Sequence, residues 1–538
     1  MKGNTFRVIK YALLAYLVIT VIIPIVMLFS QIRGENIQSV VTSAQFFPML
    51  RNSVLTTLIA TVISVVLAFL LAFVIVRSRV RFKSVWMVMF TIPMLIPSIS
   101  HGMGLVLLLG DNGLLTNMLG LNFDLYGYTG IVMGSVLYSF PVAFLMFFDS
   151  LLYEDFTIYE AAEVLGLSKW RQFKTITVPS MKRTIVSAVL SVFTMVFTDY
   201  GVPLMTGGTV MTLPVYMYRE VIGMMEFSNG AVIGVILLTP AVVAFLMDLH
   251  NSNMASSVST VTKVFQVAEN KVRDLVAYAF LTLSFIVMCL PIAAFACLSF
   301  VKQYPIDMSF TIDNVKKLIS NGIGMYFVNS VAVALLTAFL GTCFSYFSAY
   351  VTARSGKKLS NQLLHFVSML PLAIPGVVLG LSYVMTFNKL PLYGTIFILV
   401  IVNIIHFFSS PYLMAYNSLS KFNPNLEDVA HTLGISKMRI LTNVYVPSTL
   451  STIVEMYSYF FVNAMITISA VSFLINFRTT PLSLLIPQLE SQSFIEGTAL
   501  VSLMILGLNL IEKAIAFFAK REILIRGTDV VVVSNREE

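Results

Sequence analysis

Long apolar runs recur throughout this 538-residue chain, and they restrict its possible folds more than any other feature. A helix needs about 20 apolar residues to cross the hydrocarbon core of a bilayer. Inside a bilayer, only helices and closed barrels satisfy all of their own backbone hydrogen bonds. Charged residues make up 11% of the chain, whereas soluble proteins carry roughly 25%. The apolar runs therefore predict an all-α integral membrane protein.

Twelve apolar runs are long enough to be membrane-spanning helices, six in each half of the chain. The first run follows basic residues as in a signal peptide, but it exceeds the usual core of about 7–15 residues, so we expect an uncleaved helix. The predicted spans are Tyr11–Phe29, Val54–Val76, Trp86–Leu109, Tyr128–Phe148, Ile185–Val202, Ala231–Leu249, Leu275–Phe300, Val328–Val351, Leu363–Phe387, Ile396–Tyr416, Ile453–Phe473 and Thr498–Ala519.

The distribution of Lys and Arg predicts how these helices are oriented. Basic residues collect after the second and fourth spans, in segments 77–83 and 169–183, whereas the loop from Gly110 to Gly127 has none. Short cytoplasmic loops are typically rich in Lys and Arg. We therefore expect both termini in the cytoplasm. The same pattern accounts for the net charge of +8 without a nucleic-acid partner.

A polar stretch in the first half of the chain has a partner in the second half. "EAAEVLGLSKWRQFKTITVP" begins at Glu160, and "DVAHTLGISKMRILTNVYVP" begins at Asp428, 268 residues further on. At this offset a glycine, a serine, a lysine, an arginine and a proline coincide. The matched pairs are Gly166/Gly434, Ser168/Ser436, Lys169/Lys437, Arg171/Arg439 and Pro179/Pro447.

Further landmarks repeat in the same order, which indicates an internal duplication. "RNSVLTTLIATV" resembles "VNSVAVALLTAF", and "IPMLIPSI" matches "LPLAIPGV" with paired prolines four residues apart. Each half has an even number of predicted spans, so the repeats are parallel and not inverted. We expect a first half at residues 1–250, a cytoplasmic linker at 251–273 and a second half at 274–538.

Each polar copy has the pattern of two short helices joined at a glycine. Gly166 and Gly434 stand where a helix would end in the left-handed conformation, and Ser168 is placed to cap the next helix. A single copy would suit an amphipathic helix lying on lipid headgroups. Two copies in register favour a pair of docking elements for a two-fold partner.

The first copy resembles the EAA motif of permease subunits of binding-protein-dependent ABC importers. That motif is EAA, three residues, Gly, nine residues, then Ile-x-x-Pro. The matching residues are Glu160, Ala161, Ala162, Gly166, Ile176 and Pro179. The second copy keeps Ala430, Gly434 and Pro447 but has Asp428 and Val429 in place of Glu and Ala, so the two copies need not be equivalent.

The resemblance implies the transmembrane fold of type I ABC importers, as two fused six-helix halves. It further implies that residues 150–182 and 418–449 form coupling loops that contact two copies of an ATPase subunit, with an extracytoplasmic binding protein delivering the solute. This chain has no G-x-x-x-x-G-K-[ST] phosphate loop. We therefore expect a non-catalytic subunit without cofactor or metal, with ATP and Mg on the ATPase chains. The implied location is the bacterial cytoplasmic membrane.

The cargo and its pathway are predicted less directly. "TDYGVPLMTGG" and "MITISAVSFLINFRTTPLS" resemble segments of the ferric-iron, 2-aminoethylphosphonate, thiamine and polyamine permeases, and the fused form favours ferric iron. Polar residues in spans usually face a cavity or the protein interior. Asp199, Tyr200 and Asn463 could line the pathway, with Asp199 and Asn463 meeting between the halves. Glu455 is a further candidate. Alternatively, Asp199 caps a turn and Glu455 lies near the cytoplasmic interface.

A secondary transporter built from two parallel six-helix repeats is the main alternative class. It would explain the duplication without an ATPase. It would leave the matched polar stretches unexplained, and it would require coupling carboxylates deep in the helices.

Overall fold

The computed structural model describes residues 2–120, 123–253, 263, 265–354 and 359–534, and most of these are helical. Residues 254–262 and 264 of the predicted linker lie outside the described part. Among the described residues, eight helices are long and apolar enough to cross a membrane, and three bent helix pairs raise the number to eleven. The predicted total of twelve is one higher, because Ile453–Phe473 is helical only up to Ile466 and its helix, Leu450–Ile466, has 17 residues.

The first half contains fifteen of the described α-helices. In chain order they are α1 Lys2–Leu17, α2 Ile23–Ser30, α3 Gly34–Val41, α4 Phe46–Arg77, α5 Lys83–Thr91, α6 Ser98–Leu109, α7 Leu114–Leu119, α8 Tyr128–Leu152, α9 Thr157–Val164, α10 Lys169–Gln172, α11 Val178–Ser180, α12 Lys182–Phe197, α13 Gly201–Thr206, α14 Leu213–Tyr218 and α15 Phe227–Asn253.

The second half follows the same plan and adds a short antiparallel hairpin, the one described departure from an all-α fold. Its elements are α16 Lys271–Leu298, β1 Val301–Gln303, β2 Asp307–Phe310, α17 Asp313–Ser320, α18 Ile323–Arg354, α19 Leu359–Met369, α20 Gly376–Phe387, α21 Ile396–His406, α22 Ser409–Ser420, α23 Leu426–Thr432, α24 Lys437–Ile440, α25 Val446–Ser448, α26 Leu450–Ile466, α27 Leu482–Ser491 and α28 Ile495–Ser534.

The paired prolines break two spans that were predicted as single helices. Between α5 and α6 the chain forms a 3-10 turn at Ile92–Leu95, and Leu370–Ala373 does the same between α19 and α20. In the second half the two segments meet at 111°. Proline cannot donate the helical hydrogen bond, and it disfavours helical backbone in the residue before it. The predictions that Trp86–Leu109 and Leu363–Phe387 are each one continuous helix were therefore wrong.

The first span of each half packs against the other half. The Tyr383 hydroxyl in α20 donates to the Thr20 carbonyl at 2.8 Å, so the N-terminal span lies on the second half. On α16, Ala277 and Leu281 are buried in the core of the first half together with Phe144. The predicted segments 1–250 and 274–538 are thus duplicated in sequence but interlocked in space.

In each half, an Asn-Ser pair holds the loop that follows the fifth predicted span. The Ser53 hydroxyl accepts from the Leu213 N–H at 2.8 Å, at the start of α14. The Ser330 hydroxyl likewise accepts from the Leu482 N–H at 2.6 Å, at the start of α27. Asn329 donates to two carbonyl oxygens of the same loop. The repeated "NSV" thus supplies partners for backbone groups that a helix start leaves unpaired.

We expect Ser330→Ala to lower the free energy of unfolding by about 1–3 kcal/mol, because the buried Leu482 N–H loses its acceptor. Thermal unfolding of the detergent-purified protein measures the change. The matched control is Ser320→Ala, which removes an exposed bond to the Lys317 carbonyl. Equal midpoints for the two variants would contradict this role of Ser330.

Candidate functional site: two matched hairpins and a central cavity

The first polar stretch forms a helical hairpin, here called hairpin 1 (residues 157–180). Its first helix, α9, is closed by Gly166 at φ +71°, with the Leu167 N–H bonded to the Ala162 carbonyl at 3.0 Å. The Ser168 hydroxyl then caps α10 by accepting from the Arg171 N–H. The glycine stop and the serine cap predicted from the sequence are confirmed. Glycine suits the stop because it enters this backbone region at little cost.

The second polar stretch, hairpin 2 (residues 426–448), repeats this geometry. Gly434 has φ +68°, the Ile435 N–H bonds the Ala430 carbonyl at 2.8 Å, and Ser436 caps α24. Both hairpins lie where α4 and α18 end at Arg77 and Arg354. We call this the hairpin end of the bundle. The matching residues therefore have matching backbone roles.

The tip of each hairpin presents apolar side chains to its surroundings. In hairpin 1, Trp170 is 67% exposed and stacks on Phe173, which is anchored against Phe69 and Phe73 of α4. In hairpin 2, Met438 occupies the equivalent position and is 52% exposed. Exposed large apolar groups on a well-anchored element are typical of interaction sites.

The remaining predicted hairpin residues divide into anchors, ion pairs and exposed groups. Ala162 and Ala430 are buried, and Pro179 and Pro447 begin the exit helices α11 and α25. Glu160 pairs with Lys263, and Lys169 pairs with Glu163. The side chains of Ala161, Arg171, Asp428, Lys437 and Arg439 are exposed.

A buried arginine ties hairpin 1 to the bundle. Arg77, the last residue of α4, forms an ion pair with Glu154 and donates to the Tyr159 hydroxyl at 3.3 Å. The Tyr159 hydroxyl also bonds Thr177 at 2.7 Å, which joins the two arms of the hairpin. The sequence interpretation did not identify this contact.

Hairpin 2 has a similar arginine network with its side chains exchanged. Arg354 binds both carboxylate oxygens of Glu427, at 2.7 and 2.6 Å, and the Tyr445 hydroxyl donates to Glu427 at 2.5 Å. Glu427 and Tyr445 stand 268 residues after Tyr159 and Thr177, so the tyrosine has moved from one arm to the other. Burial alone would raise the pKa of Glu427, but the Arg354 and Tyr445 hydrogen bonds outweigh it and hold that pKa below its usual value.

The predicted pathway residues satisfy their polar groups locally. Helix α12 ends at Phe197, so Asp199 lies in a turn and not in the predicted helix Ile185–Val202. Its carboxylate accepts from Ser98 at 2.6 Å and from the Val202 N–H at 3.0 Å. Asn463 donates to the Tyr459 carbonyl of its own helix. No hydrogen bond joins Asp199 to Asn463 among the described residues.

Glu455 lies toward the hairpin end. It forms an ion pair with Lys520, and its side chain is 51% exposed. The sequence-based alternative, that Glu455 lies near the cytoplasmic interface, stays a prediction.

A cavity of about 540 Å³ lies between the two halves, at the end of the bundle opposite the hairpins. Tyr218 and Met225 line it from the first half, and Tyr393, Phe473 and Gln488 line it from the second. Beside it, Tyr200 stacks on Tyr218 at 4.6 Å, and its hydroxyl lies 3.5 Å from the Ile468 carbonyl oxygen. Of the predicted pathway residues, Tyr200 therefore lies at the junction of the halves.

Two interlocked membrane halves, matched hairpins and a cavity between the halves define a transporter permease. The chain belongs to the family described as "Binding-protein-dependent transport system inner membrane component", which matches residues 64–255 and 341–521, more than half of its length. It is therefore a fused, two-half permease subunit of the ABC importer class and a multi-pass inner membrane protein, as the sequence predicted.

Among its relatives are permeases of several transport systems. The putative ferric transport system permease protein FbpB 1 of Haemophilus influenzae is 25% identical over 407 residues, 72% of this chain and 64% of the relative. The ferric transport system permease protein FbpB of Actinobacillus pleuropneumoniae is 25% identical over 410 residues, 72% of this chain and 59% of the relative. The chain thus spans about three fifths of these ferric permeases.

A shorter match comes from a spermidine/putrescine transport system permease protein PotC homolog of Mycoplasma pneumoniae. It is 25% identical over 209 residues, 38% of this chain and 70% of the relative.

Proposed function

We propose that this chain is the membrane subunit of an ATP-driven importer, with hairpins 1 and 2 each docking one separate ATPase subunit. The observation that carries the proposal is the pair of exposed apolar tips, Trp170 and Met438, at equivalent positions of matched hairpins. The hairpin end then faces the cytoplasm, as do both termini. ATP and Mg bind to the ATPase subunits, and this chain performs no hydrolysis.

In this proposal, the cavity between the halves receives the solute from an extracytoplasmic binding protein. Its lining comes from both halves, so a movement of one half against the other changes its shape. The anchored hairpins transmit the approach of the ATPase subunits to α4 and α18, because Arg77 and Arg354 join the hairpins to the ends of these helices.

Ferric iron is the proposed cargo, supported by the two ferric permeases that match 72% of the chain. The alternatives are 2-aminoethylphosphonate, thiamine and polyamine; a polyamine permease homolog also matches, over 38% of the chain. In this class the binding protein does most of the selecting.

Uptake of radioactive ferric iron in cells lacking this gene tests the proposal. Expression of the chain from a plasmid is expected to restore uptake. Excess unlabelled ferric iron is expected to compete with the radioactive iron, whereas spermidine and molybdate are not. Vesicles loaded with ATP should support uptake, and a non-hydrolysable analogue should not. Uptake that a proton ionophore abolishes while ATP is maintained would instead indicate a secondary transporter. Restoration of spermidine uptake alone would contradict the iron assignment.

A further inference from the structure

Two described residues of the linker between the halves, Lys263 and Phe265, contact hairpin 1 and the residues just before it. The Phe265 ring packs edge-on against Phe156 and Tyr159, with ring centroids 4.8 and 5.1 Å apart. The Arg77 guanidinium lies over the same ring, 3.3 Å from its centroid. The linker thus completes the aromatic and cationic packing that holds hairpin 1 to α4.

Lys263 makes a second set of contacts, with the two residues before hairpin 1 and with the first helix of the hairpin. Its carbonyl accepts from the Phe156 N–H at 3.0 Å, and its own N–H donates to Asp155 at 3.3 Å. Its ammonium forms an ion pair with Glu160, the first acid of the "EAA" stretch. These backbone and side-chain bonds together fix the position of this part of the linker relative to α9.

At hairpin 2, the comparable aromatic contact is made by a residue of the same half. Phe422, four residues before the start of α23, packs edge-on against Tyr445 at 5.1 Å, and Arg354 donates to the Phe422 carbonyl at 3.0 Å. The acid equivalent to Glu160 is Asp428, which is exposed. One hairpin is therefore completed by the linker and the other by its adjoining chain.

We propose that the linker is a positioning element of the first ATPase docking site, acting through Phe265 and Lys263, and that it makes the two docking sites unequal. This rests on the proposed docking of ATPase subunits to the hairpins. Phe265 holds Arg77 and Tyr159, and Lys263 neutralises Glu160 beside the docking surface. Loss of these contacts loosens hairpin 1 and leaves hairpin 2 unchanged.

Site-specific crosslinking can separate the two hairpins. Cys289, Cys297 and Cys343 are replaced by Ala, and a single cysteine is placed at Lys174 or at Thr442. These are equivalent exposed positions, four residues after Trp170 and Met438, so the apolar tips themselves are kept. A photoactivatable thiol reagent on that cysteine then captures the ATPase subunit in membranes of cells expressing the whole transporter. Without a further substitution, the ATPase subunit is expected to be captured from both positions.

Phe265→Ala is expected to reduce capture at position 174 by about threefold or more, the effect of losing a cation–π contact, and to leave capture at 442 unchanged. Phe422→Ala is the matched control and should act at 442 only. Lys263→Gln is the milder second variant, and it should also reduce capture at 174 alone.

Three outcomes would count against these ideas in different ways. An equal fall at both positions with Phe265→Ala would show general destabilisation and overturn the positioning role. Unchanged capture at 174 in both linker variants would also overturn it. Absence of capture at both positions without a further substitution would instead refute the proposed docking function, and this inference with it.

Discussion

Arg354→Met is expected to destabilise the protein by about 3 kcal/mol, the lower end of the cost of breaking a buried ion pair. The side chains of Arg354 and Glu427 are 5% and 16% exposed, so the remaining carboxylate would stay largely out of water. The variant also loses the bonds that Arg354 donates to the Phe422 and Asn423 carbonyls. Thermal unfolding in detergent measures the loss.

Two further variants show whether the cost comes from the unpaired carboxylate. Arg354→Met combined with Glu427→Met should recover much of the stability, because the buried charge is then absent. Lys316→Met breaks the exposed pair with Asp313 and should leave the unfolding midpoint nearly unchanged. A double variant no more stable than Arg354→Met alone would contradict this account.

Acidification should narrow the difference in unfolding midpoint between the parent protein and the Arg354→Met variant. The Glu427 pKa is held below its ordinary value of about 4.3 by Arg354 and Tyr445. The ion pair therefore contributes fully above that ordinary value, and its contribution is lost as the pH falls through the lower folded-state pKa. Without Arg354, Glu427 takes up its proton more readily. The two unfolding midpoints are thus expected to converge as the pH is lowered from about 4.3 through that lower folded-state pKa.

Replacement of both hairpin glycines should weaken association with the ATPase subunit and reduce transport. A side chain in the left-handed region costs roughly 1–2 kcal/mol per residue, and valine is poorly suited to it. No atom lies within 4 Å of a Cβ at Gly166 or Gly434, so backbone strain and not collision would act. We expect Gly166→Val with Gly434→Val to weaken docking about tenfold or more.

A glycine elsewhere with the same properties provides the control for this double variant. Gly322 has φ +79° and open space around it, but it lies between α17 and α18 at the opposite end of the bundle. Gly322→Val should leave copurification of the ATPase subunit unchanged. Normal association and transport in the double hairpin variant would refute the coupling role.

Much of the fold could be predicted because local signals and an internal repeat agreed. Gly166 and Ser168 have backbone roles that residue type and spacing reveal, and Gly434 and Ser436 repeat them. The two "NSV" segments were recognised only as part of the duplication. Their hydrogen bonds join residues 160 and 152 positions apart, a distance at which sequence spacing gives no information on contact.

The contacts that anchor the hairpins could not be predicted by comparing identical residues. Tyr159 and Thr177 pair in one half, and Glu427 and Tyr445 pair in the other, so each position differs while the bridge between the arms is retained. Asp199 illustrates another limit. A carboxylate near the end of a span can face a cavity or cap a turn, and sequence spacing does not reveal the Ser98 and Val202 partners of this one.

The interlocked first spans have a consequence for the order of synthesis. Thr20 and its partner Tyr383 are 363 residues apart, so the first span leaves the ribosome about 20–70 s before its packing site exists, at usual rates of translation. In the meantime, lipid can cover the surface of the first span that later packs on the second half. This is possible because lipid tails are as apolar as the helices that replace them. Assembly of the first half is therefore completed only when the second half has been made.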